Sequence, residues 1–125
     1  MEDEDKRQML KAVAAAFDRH DLDAILEHFS DEAVFEAPRG SERWGQRFVG
    51  KEAIRAAFAS RFSTIPDVGY TDDSHFVAGD RGVSQWTLSG TINGEWVQFH
   101  GCDIWTFEDG KIIKKDSYWK ARAPR

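Results

Sequence analysis

The chain has 125 residues, enough for one domain with a substantial core. Apolar residues make up 41% and charged residues 31%, a balance that excludes a disordered chain. A net charge of −5 with no basic stripe argues against a nucleic-acid partner, and no apolar run is long enough to span a membrane. The first residues are acidic rather than signal-like, and the single Cys102 rules out an internal disulfide, so a cytoplasmic location is expected. The tail 120–125 is basic but short and reads as solvated. Five Trp and nine Phe are many for this length; such side chains fill cores and also line apolar cavities.

Taken in chain order, Asp5 and Gln8 have the spacing of a capping box. Met9, Leu10, Val13 and Phe17 follow at helical spacing and predict a first helix ending near His20. Asp21 suits the N-cap of a short second helix, with Leu22, Ile25, Leu26 and Phe29 on its apolar face. A short strand over 33–37 is stopped by Pro38. Residues 39–50 carry Gly40, Gly45 and Gly50 with Trp44 and Phe48, and read as a loop with apolar anchors. That loop either packs on the surface or folds over a cavity mouth. A third helix over 51–63 buries Ile54, Ala57, Phe58 and Phe62 and ends at Ile65-Pro66. The remainder reads as strand, with 68–78 pairing 83–92 and hairpin turns at Asn93-Gly94 and Asp109-Gly110. No linker or repeat divides the chain, so residues 1–125 are expected to form a single domain. The fold class is α+β: a curved antiparallel meander covered by three helices, leaving a cone-shaped cavity where the cover is incomplete.

The most informative stretch is 97–120. Strand side chains alternate faces, so Val97, Phe99, Gly101, Asp103, Trp105 and Phe107 share one face. Gln98, His100, Cys102, Ile104 and Thr106 share the other. A lone carboxyl among Phe99, Trp105 and Phe107 is costly unless it has a partner or a proton. On the last strand Lys115, Ser117 and Trp119 alternate with Asp116 and Tyr118. If Lys115 reaches Asp103, the carboxylate is favoured and acts as a base or as one end of a structural pair. If Lys115 turns to the mouth, apolar surroundings favour the acid, a proton or hydrogen-bond donor.

Residues 22–38, 50–54 and 103–112 together resemble the nuclear transport factor 2-like superfamily, which includes ketosteroid isomerases, SnoaL-type polyketide cyclases, limonene-epoxide hydrolases and scytalone dehydratases. The resemblance covers nearly the whole chain and implies a cystatin-like roll, a cone-shaped barrel of curved sheet packed against three N-terminal helices. It implies that Asp103 matches the acidic residue on the central strand of the isomerases and cyclases. It places Lys115, Ser117 and Trp119 on the pocket side. Two positions depart from the isomerases: their helix-1 tyrosine falls on Val13 and their general-base Asp falls on Ala37. The steroid-isomerase mechanism is therefore not expected here.

The expected site consists of Asp103 as acid/base and Lys115 as its modulator. Val13, Phe17, Trp86, Leu88, Phe99, Trp105, Ser117 and Trp119 are its substrate-binding wall. The expected function is acid/base chemistry of the isomerase, cyclase, dehydratase or hydrolase type on a mostly apolar small molecule, without cofactor or metal. The alternative is a non-catalytic binding or dimeric scaffold protein. His75, beside Asp72 and Asp73, resembles half of a dehydratase His–Asp dyad whose acid lies near Asp18, Asp21 or Asp23. His20 and His28 are read as solvated, and Glu36 as facing away from the pocket. Arg39, Arg43 and Arg47 could reach an anionic substrate or be solvated. Superfamily members pair through the open sheet face, so a homodimer using Gln98, His100, Cys102, Ile104, Thr106 and Tyr118 is expected.

Overall fold

The computed structural model describes residues 1–121 and 123; Arg122, Pro124 and Arg125 of the basic tail lie outside the described residues. The elements run α1 (Asp3–Asp18), α2 (Leu22–Leu26), β1 (Phe29–Glu42), β2 (Gly45–Val49), α3 (Lys51–Thr64), β3 (Gly69–Ala78), β4 (Arg81–Ile92), β5 (Glu95–Glu108) and β6 (Lys111–Trp119). The six strands form one curved sheet in the order β2-β1-β6-β5-β4-β3. The sheet is open rather than closed into a barrel, with β2 and β3 at its edges.

Five helical and turn signals act as read. Leu10, Val13 and Ala16 of α1 and Ile54 and Phe58 of α3 are buried against the sheet. Asp21 caps α2, accepting from the Ala24 N–H at 3.1 Å. Asn93-Gly94 and Asp109-Gly110 both have paired positive φ angles, as a type I′ hairpin requires. The capping box at Asp5 does not form. Helix α1 already starts at Asp3, without a side-chain cap, and places Asp3, Glu4 and Asp5 in its first turn, where acidic groups suit the dipole.

The glycine-rich stretch is not a loop. Strand β1 runs past Pro38 and turns back into β2, pairing Ala37 with Gln46 and Val34 with Val49. The register breaks between Ala37 and Glu42, so Pro38 sits where the ladder is interrupted and its missing N–H costs little. Gly45, at φ +80, packs its backbone directly against the Ala37 carbonyl, where no Cβ would fit. Strand β1 also pairs in parallel with β6, Phe35 opposite Lys115, a contact between distant segments that no local pattern announces.

The inner face carries the core. Trp105, Phe107 and Ile112 pack under all three helices, and a second cluster of Ile65, Val68, Trp86 and Leu88 fills the other end. Gly101 is opposite Trp86 in the β4–β5 register and opposite Trp119 in β5–β6. Its missing side chain lets the Trp86 indole lie across the strand; a Cβ there would collide with that ring and approach the Tyr118 carbonyl to 2.8 Å. Gly101→Ala is expected to displace Trp86 and destabilise the protein by roughly 1–3 kcal/mol. Urea denaturation followed by tryptophan fluorescence measures this, and an unchanged midpoint would contradict the packing.

Candidate functional site

The strand registers assemble a polar row across the inner face. His75 is opposite Ser84, Ser84 opposite Asp103, and Asp103 opposite Ser117, one residue from each of β3, β4, β5 and β6. Trp105 opposite Lys115 flanks it on one side, and an apolar row of Trp86, Gly101 and Trp119 on the other. Asp103, Ser84, Lys115 and Ser117 are all buried.

Asp103 is the centre of this row. Its Oδ1 accepts from Lys115 Nζ at 2.9 Å and from the Ser117 hydroxyl. Its Oδ2 accepts from the Trp86 indole N–H at 2.8 Å. Lys115 Nζ also donates to Ser117 Oγ at 2.7 Å, which leaves the Ser117 proton for Asp103. Every contact donates to the carboxyl, so the ionised form is the one this geometry fits. Lys115 Nζ in turn lies 4.8 Å from the Phe35 ring centroid, 5.2 Å from Phe17, 5.6 Å from Phe58 and 5.7 Å from Trp105. The ammonium is thus held between one carboxylate and four aromatic rings.

These groups border a cavity of ≈ 570 Å³ enclosed by the inner face, α1, α3 and the β1–β2 hairpin. Val13, Phe17, Trp86, Leu88, Trp105, Ser117 and Trp119 line it together with Asp103 and Lys115. Phe99 does not. It lies opposite Leu88 near the β4–β5 turn, half-buried, and stacks on Trp119 at 5.9 Å instead of reaching the cavity. Several lining residues escaped sequence reading. Phe35 and Phe58 were readable only as core, Arg61 only as helix surface, and Ser84 only as a strand residue. Tyr70 lines the cavity because β3 bulges between Thr71 and Ser74, which moves the inward set from even to odd numbers. Burial pushes the Tyr70 phenol up to about 12, against the opposing pull of Arg61.

The remaining candidates separate clearly. His75 meets no helix-1 acid: Asp18 binds the Tyr70 N–H, Asp21 caps α2, and Asp23 pairs with Arg55. Its ring is instead buried between Asp73 and Ser84. His20 is not solvated, since it stacks on Phe62 at 4.3 Å and bonds the Val68 carbonyl at 2.6 Å. His28 is half-buried, and burial lowers its pKa. Glu36 takes no part in lining the cavity. Burial opposes its ionisation, yet bonds from Arg47 and Lys114 hold its carboxyl below the usual range. Arg43 and Arg47 flank the Trp44 ring, whereas Arg39 lines the cavity. On the open face Cys102 is partly buried, and burial, then Asp103 and Asp116, pushes its thiol up.

Removing one member of a buried ion pair leaves the other uncompensated. Lys115→Met is therefore expected to cost about 3–5 kcal/mol, and adding Asp103→Leu to it should recover most of that loss. Denaturant unfolding of the two single variants and the double variant measures this. A Lys115→Met protein as stable as the original would refute a buried, paired site.

Comparison with known proteins now bears on this geometry. A family model described as a SnoaL-like domain matches residues 10–115. A structure of a candidate polyketide cyclase from Xanthomonas campestris superposes with a TM-score of 0.80 at 19% identity, covering 91% of this chain and 92% of that one. TerC, co-crystallised with polyporic acid, gives 0.77 at 20% identity, covering 90% and 89%. A protein with a ketosteroid isomerase-like fold from Catenulispora acidiphila, in complex with trimethylamine, gives 0.74 at 20% identity, covering 88% and 83%. Comparison with curated proteins gives no match. Among the described residues, no helix is long and apolar enough to cross a membrane. The matched length, 106 residues, spans most of the chain, and the chain belongs to the SnoaL-like domain family.

Proposed function

We propose that this cavity takes up a mostly apolar small molecule bearing a carbonyl, hydroxyl or epoxide oxygen, and that Asp103 performs acid/base chemistry on it. The observation that carries this reading is a buried carboxylate fixed by three donors and lining a cavity rich in aromatic rings. A carboxylate has about four acceptor sites. Oδ1 uses two and Oδ2 one, so Oδ2 keeps an acceptor site for a ligand proton. Lys115 and Ser117 then act as modulators: their N–H and O–H groups steady the anion and return a proton after the carbon or oxygen centre has reacted. Trp86, Trp105, Phe17, Val13, Leu88 and Trp119 orient the ligand and keep water away. Isomerase, cyclase, dehydratase or hydrolase reactions need no more than this. A steroid-isomerase sequence is not part of the proposal, because Ala37 and Val13 stand where that mechanism uses a base and a tyrosine.

The polyporic acid held by TerC supports a small organic ligand for this fold. We place the protein in the cytoplasm as a homodimer, the two copies meeting through the open face of β5 and β6, where Tyr118 is exposed between polar and apolar neighbours. One observation favours a second reading, a non-catalytic binder or dimeric scaffold: at rest Asp103 is already satisfied by its own neighbours.

Ring opening of 5-nitrobenzisoxazole separates the two readings. It needs only a base to remove one C–H proton in apolar surroundings, and the released nitrophenolate is coloured. The protein is expected to accelerate the reaction, and Asp103→Asn to slow it by about 10²-fold or more while an apolar dye still binds the cavity. Equal rates for the two proteins would leave only the binder.

A further inference from the structure

We propose that Ser84, His75 and Asp73 form a second acid/base site on the same cavity wall. Ser84 supplies the hydroxyl that meets an electrophilic carbonyl ligand, His75 is the base that takes its proton, and Asp73 is a positioning residue behind His75. The three are aligned by hydrogen bonds. Ser84 Oγ lies 2.7 Å from His75 Nδ1, and His75 Nε2 lies 2.6 Å from Asp73 Oδ2. Ser84 and Asp73 both line the cavity, while the imidazole between them is almost fully buried. None of the three is used by the Asp103 chemistry, so the proposal goes beyond that reading and shares with it only the cavity.

Donor counting fixes the direction of the chain. The Trp105 indole can only donate, and its Nε1 lies 2.9 Å from Ser84 Oγ. The Asp73 carboxylate can only accept, so His75 Nε2 donates to it, and a neutral ring then accepts the Ser84 proton at Nδ1 while Ser84 Oγ takes the Trp105 N–H. A neutral imidazole that accepts at Nδ1 carries its proton on Nε2, where the Asp73 carboxylate receives the bond. This is the alignment by which a serine hydroxyl is activated, with the ring nitrogens in exchanged roles. It is more than packing requires. Trp105 needs one acceptor, and Ser84 alone supplies it. Asp73 comes within reach because the β3 bulge, with Asp72 at φ 56°, shifts the strand by one residue. Bulges of this kind re-aim side chains beside functional sites.

Magnitude decides what the site can do. Ser84 lies mid-strand, paired with His75 on one side and Asp103 on the other, so its backbone offers no oxyanion hole. That donor set is worth about 10²–10³ in rate where it exists. Acyl transfer to Ser84 is therefore a slow, single event rather than a turnover. In it Oγ bonds to the acyl carbon, the bond from that carbon to the leaving oxygen breaks, and the serine proton passes to His75 Nδ1.

The test is exposure to p-nitrophenyl acetate, whose aromatic ring suits the cavity, followed by intact mass measurement and peptide mapping. Expected is one acetyl group on Ser84, with p-nitrophenolate as leaving group. Ser84→Ala should carry none at that peptide. His75→Gln should acylate Ser84 about 100-fold more slowly. Asp73→Asn, at the better-exposed end and able to keep a hydrogen bond, should retain the fold and slow acylation at least about 10-fold. Ser84 left unmodified in the folded protein, or acylated equally fast in the His75 and Asp73 variants, would overturn the proposal.

Discussion

One buried carboxylate, that of Asp103, organises this molecule. Asp103 sits mid-sheet and is nearly all buried, so water solvates it poorly, and an ion there is tolerable only with strong donors around it. Three neighbouring positions supply them: Trp86 from β4, and Lys115 and Ser117 from β6. Each requires a definite strand register. Lys115 and Ser117 share a face with Asp103 only because β5 and β6 pair as they do, and Trp86 reaches it only because Gly101 leaves room. The ion pair alone is weak grounds for stability, since desolvation of two charges offsets most of their attraction. Its stronger consequence is specificity, because a one-residue slip would bury an unpaired charge.

The aromatic content follows from the same constraint. Lys115 must also leave water, and four rings surround its ammonium. These rings belong to α1, β1, α3 and β5, so the cation ties both helices that cover the cavity to the sheet beneath it. The helices cover the inner face incompletely, and the uncovered part is the cavity. Site and core are therefore one structure here. Trp105 is at once a core residue, a wall of the cavity, a neighbour of Lys115 and a donor to Ser84.

Much of this was legible in the residue order, for local reasons. Asn-Gly and Asp-Gly mark turns because they tolerate positive φ, and both turns form. Alternation from Val97 to Phe107 places Asp103 inward because β5 is regular up to Thr106. Legibility ended where structure depends on distant partners. The antiparallel pairing of β1 with β2 turned an expected loop into a hairpin, and the parallel pairing of β1 with β6 joins segments far apart in the chain. The β3 bulge reversed parity, hiding Tyr70 and bringing Asp73 and His75 to the inner face. Phe99 obeyed its parity yet missed the cavity, because facing inward does not say how far the helices extend above a strand. His20 looked solvated on its helix, but α3 supplies Phe62 to stack on it.

The central claim is that Asp103 is an inward-facing carboxylate held as an anion by its three donors. Isotope-edited infrared difference spectroscopy near neutral pH, with ¹³C-labelled aspartate and Asp103→Asn as the reference, reads its charge directly. The substitution is expected to remove carboxylate stretching bands. Loss of a protonated carboxylic C=O band instead would contradict it.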